Sequence, residues 1–108
     1  MKKFNAKFAI GQVIHHKLFG YRGVIADVDA TFQGLEEWYH NLAKRQPQKN
    51  KPWYHVLVDG SDHITYVAER NLEVDAIDPN IEPIHHPELS YFFTGYQNGK
   101  YLPRRIAN

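Results

Sequence analysis

Cysteine is absent from the 108 residues, which removes structural disulfides, thiolate zinc sites, iron–sulfur ligation and thiol nucleophiles together. Long apolar runs are missing as well. The longest, such as Val24-Ile25-Ala26 and Val56-Leu57-Val58, fall far short of the ~20 residues a membrane helix needs. Serine is scarce: Ser61 sits in a turn context, Ser90 in the last quarter of the chain, and neither is framed as Gly-x-Ser-x-Gly. Phe19-Gly20-Tyr21-Arg22-Gly23 has two glycines but lacks the strand-to-helix setting and the Lys-Ser/Thr of a phosphate loop. The start, Met1 to Lys7, has lysines but no sustained apolar stretch behind them, so no secretory signal is expected and a cytoplasmic, soluble protein is. What remains is a chain of 43% apolar and 14% aromatic residues with a net charge of +1, enough for one core and one domain, residues 1–108.

The charge is unevenly divided. Residues 1–51 carry nine Lys/Arg against four acids, whereas residues 52–108 carry four against eight. Such a division suits a basic face for a polyanion, unless the strands of a small barrel interleave the halves and cancel it.

Most of the chain reads as β. Gln12–Lys17 is a short strand, and Tyr21–Asp29 a longer one with Val24, Ala26 and Val28 on one face and Ile25, Asp27 and Asp29 on the other. Gly23 within it marks a bulge or bend. Leu35, Trp38, Tyr39 and Leu42 recur at helical spacing, which predicts one amphipathic helix over Leu35–Arg45. Trp53–Val58, Asp59-Gly60 and His63–Ala68 form a hairpin, Glu69–Leu72 a tight turn and Glu73–Asp75 a last short strand. The sum is a mainly β fold: a small, partly open SH3-like barrel of four or five strands over about residues 8–76, with one short helical insertion. An aromatic C-terminal tail, residues 77–108, packs on it.

Seven histidines invite a metal reading. His15-His16 and His85-His86 point neighbouring rings to opposite faces, and only a site assembled in space, such as His55 with His63, remains open; neither a metal nor a cofactor is expected. No nucleophile or paired-carboxylate arrangement emerges, so the chain reads as a binding module and not as an enzyme. Two stretches set aromatic rings beside cations or histidine, Phe19-Gly20-Tyr21-Arg22 and Trp53-Tyr54-His55. Of the two registers open to the second, the one with Tyr54, Val56 and Val58 inward is preferred, which leaves Trp53 and His55 exposed. The loop Lys44–Lys51 carries four cations and no acid. The candidate contact residues are therefore Lys17, Tyr21, Arg22, Lys44, Arg45, Lys49, Lys51, Trp53 and His55. Tyr91, Phe92 and Phe93 in the tail are the alternative, for a protein partner.

Longer phrases carry a resemblance. Ala6–Val13, Leu18–Ile25 with Asp27-Val28-Asp29, Glu37-Trp38-Tyr39, Pro52–Leu57 and Thr65–Leu72 resemble the YccV-like (HspQ) hemimethylated-DNA-binding family. His86-Pro87, Phe92, Gly99, Tyr101 and Pro103-Arg104 are similar to the tail of one of its branches. The resemblance implies an SH3-like barrel without catalytic residues, cytoplasmic, that binds hemimethylated DNA and influences expression of the replication initiator. It also implies a heat-shock setting in which the partners are a Lon-type protease and its clients, the protein acting as substrate and specificity enhancer. An exposed barrel edge leaves self-association open.

Overall fold

A computed structural model describes residues 5–42, 46–76, 80 and 82–104. Its chain order is β1 (Val13–His16), β2 (Arg22–Asp29), α1 (Glu36–His40), β3 (Trp53–Val58), β4 (Ile64–Ala68), a single 3-10 turn (Glu69–Asn71) and β5 (Leu72–Val74). Then follow α2 (Leu89–Phe92), β6 (Phe93–Gln97) and β7 (Lys100–Pro103). The first five strands form one antiparallel sheet in the order β4-β3-β2-β1-β5, and β6 pairs with β7 in a second. The fold is mainly β, and the larger sheet curls without closing: β4 and β5 are its two edges.

Branched and aromatic residues build the sheet, and its curl comes from two local features. Gly23 lies so close to β3 that a Cβ there would stand 2.5 Å from Val56 Cγ1 and 2.6 Å from the Leu57 carbonyl oxygen. The register between β2 and β3 slips between Ile25 and Asp27. The bulge is therefore not at Gly23, which instead permits close approach of two strands. The slip also breaks the strict alternation expected for β2. Ile25 and Val28 share one core with Phe8, Ile14, Tyr54, Val56, Val67 and Leu72. Val24 and Ala26 share another, on the opposite face, with Val13, Leu57, Ile84, Phe93 and Tyr101.

That second core makes the tail part of the fold. Phe93 and Tyr101 from the β6–β7 hairpin cover Val24 and Leu57, and the Ile84 N–H donates to the Tyr101 hydroxyl at 3.0 Å. The sheet is thus covered on both faces. A third cluster gathers Tyr39, Trp53 and Ala68, with Phe32, Leu42 and Tyr66 against it, at the end of the sheet where α1 sits.

The helix is shorter than its apolar spacing predicts. It runs from Glu36 to His40, where the Gln46 side-chain amide donates to the Tyr39 and His40 carbonyls, and Tyr39 donates its hydroxyl to the Pro47 carbonyl. The Gln46 bonds satisfy the helix's last carbonyls from the following loop, and the Tyr39 bond ties that loop back to the helix. Lys44 and Arg45 lie outside the described residues. No helix among the described residues is long and apolar enough to cross a membrane.

Candidate functional site

Along the outer side of β4 runs an open groove of about 770 Å³. One wall is the β1–β2 turn with Leu18 and Phe19; the other is Trp38, Leu42 and Pro47; the floor is β4 itself with Trp53 behind it. Phe19 is 78% exposed and Leu18 71%, unusual for large apolar side chains on a molecule this small. Trp38, Trp53 and Tyr66 lie with ring centroids 5.2–6.1 Å apart, so the far wall and floor form one aromatic surface.

The turn that carries Phe19 is held by His16. This ring is buried, stacks on Phe19 at 4.7 Å, lies tilted against Tyr21 at 4.9 Å, and accepts the Leu18 and Phe19 N–H groups at its Nδ1, both at 3.1 Å. An Nδ1 that accepts two N–H bonds carries no proton, so the ring is the neutral Nε2–H tautomer. Burial, helped by the neighbouring His15, holds its pKa below the ordinary histidine value. On the floor, the Tyr21 and Thr65 hydroxyls lie 2.7 Å apart, and burial pushes the Tyr21 phenol up.

Trp53 is only 1% exposed, which overturns its expected outward position. Its indole N–H donates to the Gln48 carbonyl at 3.1 Å, and its ring is packed against Phe32 and Tyr66. It supports the groove from beneath. Tyr54 and Val56 do face the main core, but the register does not expose Trp53, because the other face of β3 is covered as well, with Trp53 and Leu57 in the other two clusters.

The remaining expected contacts separate. Tyr21 lines the groove, and Lys17 is exposed on the chain between His16 and Leu18, which also line it. Lys51 lies with Lys7 and Arg70 in a smaller hollow of about 380 Å³ that shares Pro47, Ala68 and Arg70 with the groove. Lys49 is tied down: its ammonium bonds the Glu36 carboxylate, holding that group's pKa below the usual range, and stands 4.4 Å over the Tyr39 ring. Arg22 is paired with Asp75 at 2.9 Å on the opposite side of the sheet, beside His15 with Glu73 at 2.9 Å. The β5 side of the sheet thus sets Arg22, a cation of the first half of the sequence, against Asp75, an acid of the second.

His55 faces Asp29 at 3.2 Å, and Tyr66 donates its hydroxyl to the same Asp29 oxygen at 2.7 Å. Burial, then the Asp29 carboxylate, push the Tyr66 phenol up to about 12. A phenol so held is a fixed hydrogen-bond donor at neutral pH and serves to set the ring at the groove floor. In the tail, Phe93 is buried in the second core, which removes it from the expected partner contacts; Phe92 is half-buried and Tyr91 is 73% exposed. Among the described residues no three metal-ligating side chains come together.

Trp38 and Tyr66 carry no contact signal in the sequence, whereas Phe19 lies in the aromatic stretch Phe19-Gly20-Tyr21-Arg22 without being among the candidate contact residues. For Phe19 a signal exists: an aromatic beside Gly20 in a turn has little chance to bury itself.

A family model described as hemimethylated DNA-binding protein YccV like matches residues 6–100, from the segment before β1 to the first residue of β7. That span holds the whole larger sheet, both walls of the groove and the turn set by His16, and the chain belongs to the YccV-like family.

Proposed function

We propose that the chain binds DNA, with preference for a hemimethylated duplex, through the face that holds the groove. The observation that carries this is the family match over nearly the whole chain, joined to a groove with an exposed ring, Phe19, on the same turn as the exposed Lys17, and to an adjoining hollow that holds Lys7 and Lys51. The lysines position phosphates, and Phe19 and Tyr21 contact sugar or base edges, including the apolar methyl group. Lys44 and Arg45 remain candidates for the same phosphate contacts. The family description names DNA binding and no reaction, in keeping with a binding module.

Fluorescence anisotropy with one GATC duplex in unmethylated, hemimethylated and fully methylated form, at two salt concentrations, tests the reading. Hemimethylated DNA is expected to bind best at both, with Phe19→Ala removing the preference and Lys17→Ala with Lys51→Ala weakening all three forms alike. Each phosphate contact contributes about −0.9 to the slope of log affinity against log salt, so the double variant flattens the slope by about 2. Equal, weak binding of the three duplexes that vanishes with salt would sink the proposal.

The second reading is a protein-interaction adaptor for Lon-type proteolysis in a heat-shock setting. What favours it is Tyr91, whose ring is largely exposed on α2 although its neighbours Phe92 and Phe93 pack inward. Salt-tolerant binding to such a protease that is lost on Tyr91→Ala, with the fold intact, would support this reading over the first.

A further inference from the structure

Among the described residues the outer edge of β4 is unpaired. The Val58 N–H bonds the His63 carbonyl and the Glu69 N–H bonds the Pro52 carbonyl, both at 3.1 Å, and the β3–β4 register between them has no irregularity. Residues 63, 65, 67 and 69 therefore bond inward, and Ile64, Tyr66 and Ala68 turn their N–H and C=O groups away from β3. β4 is the last strand of its sheet, and among the described residues none pairs with those groups. Such an edge is a template for another strand. This one lies on the floor of the groove.

We propose that β4 takes an extended peptide segment of a partner protein, added as a sixth strand, apolar on both faces along the five residues of β4 and acidic just past Ala68. The walls dictate the apolar character. Tyr66 and Ala68 face the Trp53 and Trp38 side, whereas Thr65 and Val67 face Tyr21 and the main core. An added strand alternates in the same way, so one set of its side chains meets Trp38 and Leu42, and the other meets Leu18, Phe19 and Tyr21.

The acidic end follows from charge. Beyond Ala68 the groove opens into the hollow lined by Lys7, Lys51 and Arg70. The acid there, Glu69, is already engaged: its carboxylate accepts the Lys7 backbone N–H at 2.9 Å and the Tyr54 hydroxyl at 2.6 Å. Three cations around that single carboxylate leave the hollow with a net positive formal charge, which favours a carboxylate on the guest.

The shape selects a free segment over a second copy of the chain. β4 is flanked by the Leu18–Phe19 turn and by Trp38 and Leu42, so a strand fixed in another barrel would bring its own turn and helix into the same space. A DNA duplex has no amide ladder to offer. This inference is independent of the DNA reading, although the two ligands would share the Phe19 wall.

The test uses a fluorescein-labelled synthetic peptide, Val-Tyr-Val-Phe-Val-Glu-Glu, with two analogues N-methylated at alternate amides, one set for each parity. Saturable binding is expected, with one N-methylated analogue weakened about tenfold or more and the other unchanged, because only one parity faces β4. Phe19→Ala is expected to weaken binding, and Trp38→Phe to abolish the shift in Trp38 emission that accompanies it while leaving the affinity near that of the parent. Lys51→Glu should turn the preference toward a peptide ending in two lysines. No saturable binding, equal affinity of the two N-methylated analogues, or indifference to both Phe19→Ala and Lys51→Glu would each overturn strand addition. Self-association of the protein that blocks the peptide and is relieved by Phe19→Ala would assign the edge to a second copy and also overturn it. Failure of the duplex titration alone would leave these outcomes untouched.

Discussion

One ring nitrogen, His16 Nδ1, accepts both free N–H groups of the turn that presents Leu18 and Phe19. Protonation would convert that acceptor into a donor facing two donors. Burial already opposes the charge, and His15 beside it adds to the opposition, so the folded-state pKa lies below the unfolded value. The sign follows. The unfolded chain takes up the proton first as pH falls, so stability is full above about 6.5 and declines below it, at most about 1.4 kcal/mol for each pH unit over which only the unfolded ring is protonated. In His16→Asn the amide oxygen can still accept from the turn, but nothing titrates. Urea midpoints measured from pH 7.5 to 5.0 should therefore fall more steeply for the natural protein than for His16→Asn. Parallel curves would show that His16 does not sense pH, whatever the other histidines do.

Gly23, at the element scale, is where β3 leaves no room for a side chain on β2. A methyl group placed there meets the Leu57 backbone, which cannot rotate aside, as well as Val56. Gly23→Ala should cost roughly 1–3 kcal/mol in urea denaturation, as overpacking of a tight core does; a change within about 0.5 kcal/mol would mean the strands separate at little expense. The elements also show what a sequence displays and what it conceals. β3 and β4 were legible because Asp59-Gly60 sits between two runs of aromatic and branched residues, and the structure has the hairpin there. The outward or inward sense of Trp53 was not, since alternation carries no information in a strand buried on both sides. The apolar spacing overstates the helix because Leu42 continues it, although the chain has already left the helix and packs Leu42 on the same cluster from the following loop. The β6–β7 hairpin was legible and passed over: Asn98-Gly99, with φ of 53° and 83°, is the pairing that tight hairpin turns prefer. The groove itself was illegible, because its walls come from the β1–β2 turn and the α1 segment, some 20 residues apart in sequence, and only the fold brings them to either side of β4.

At the scale of the whole molecule, the larger sheet lies between two cores, and only one of them is made by the barrel strands themselves. Val13, Val24, Ala26 and Leu57 form the apolar outer face of that sheet, and Ile84, Phe93 and Tyr101 are what covers it. Losing one large buried aromatic typically costs about 3–5 kcal/mol, and a domain of this size has about 5–15 kcal/mol in total. A chain ending at Pro87 loses two such rings together with the β6–β7 ladder, so the barrel should no longer fold cooperatively. Circular dichroism melting without a sharp transition and strong binding of an apolar dye are the expected signs, whereas Tyr91→Ala, a change at an exposed position, should leave the melting temperature almost unmoved. A truncated chain with a sharp, cooperative transition would mean that the inner core of Ile14, Ile25, Tyr54, Val56 and Leu72 suffices, and that the tail is an added cover. If truncation does unfold the protein, the groove depends on a hairpin that does not line it: Tyr101 and Phe93 press on Leu57, Leu57 is part of β3, and β3 holds β4 in place from its inner edge.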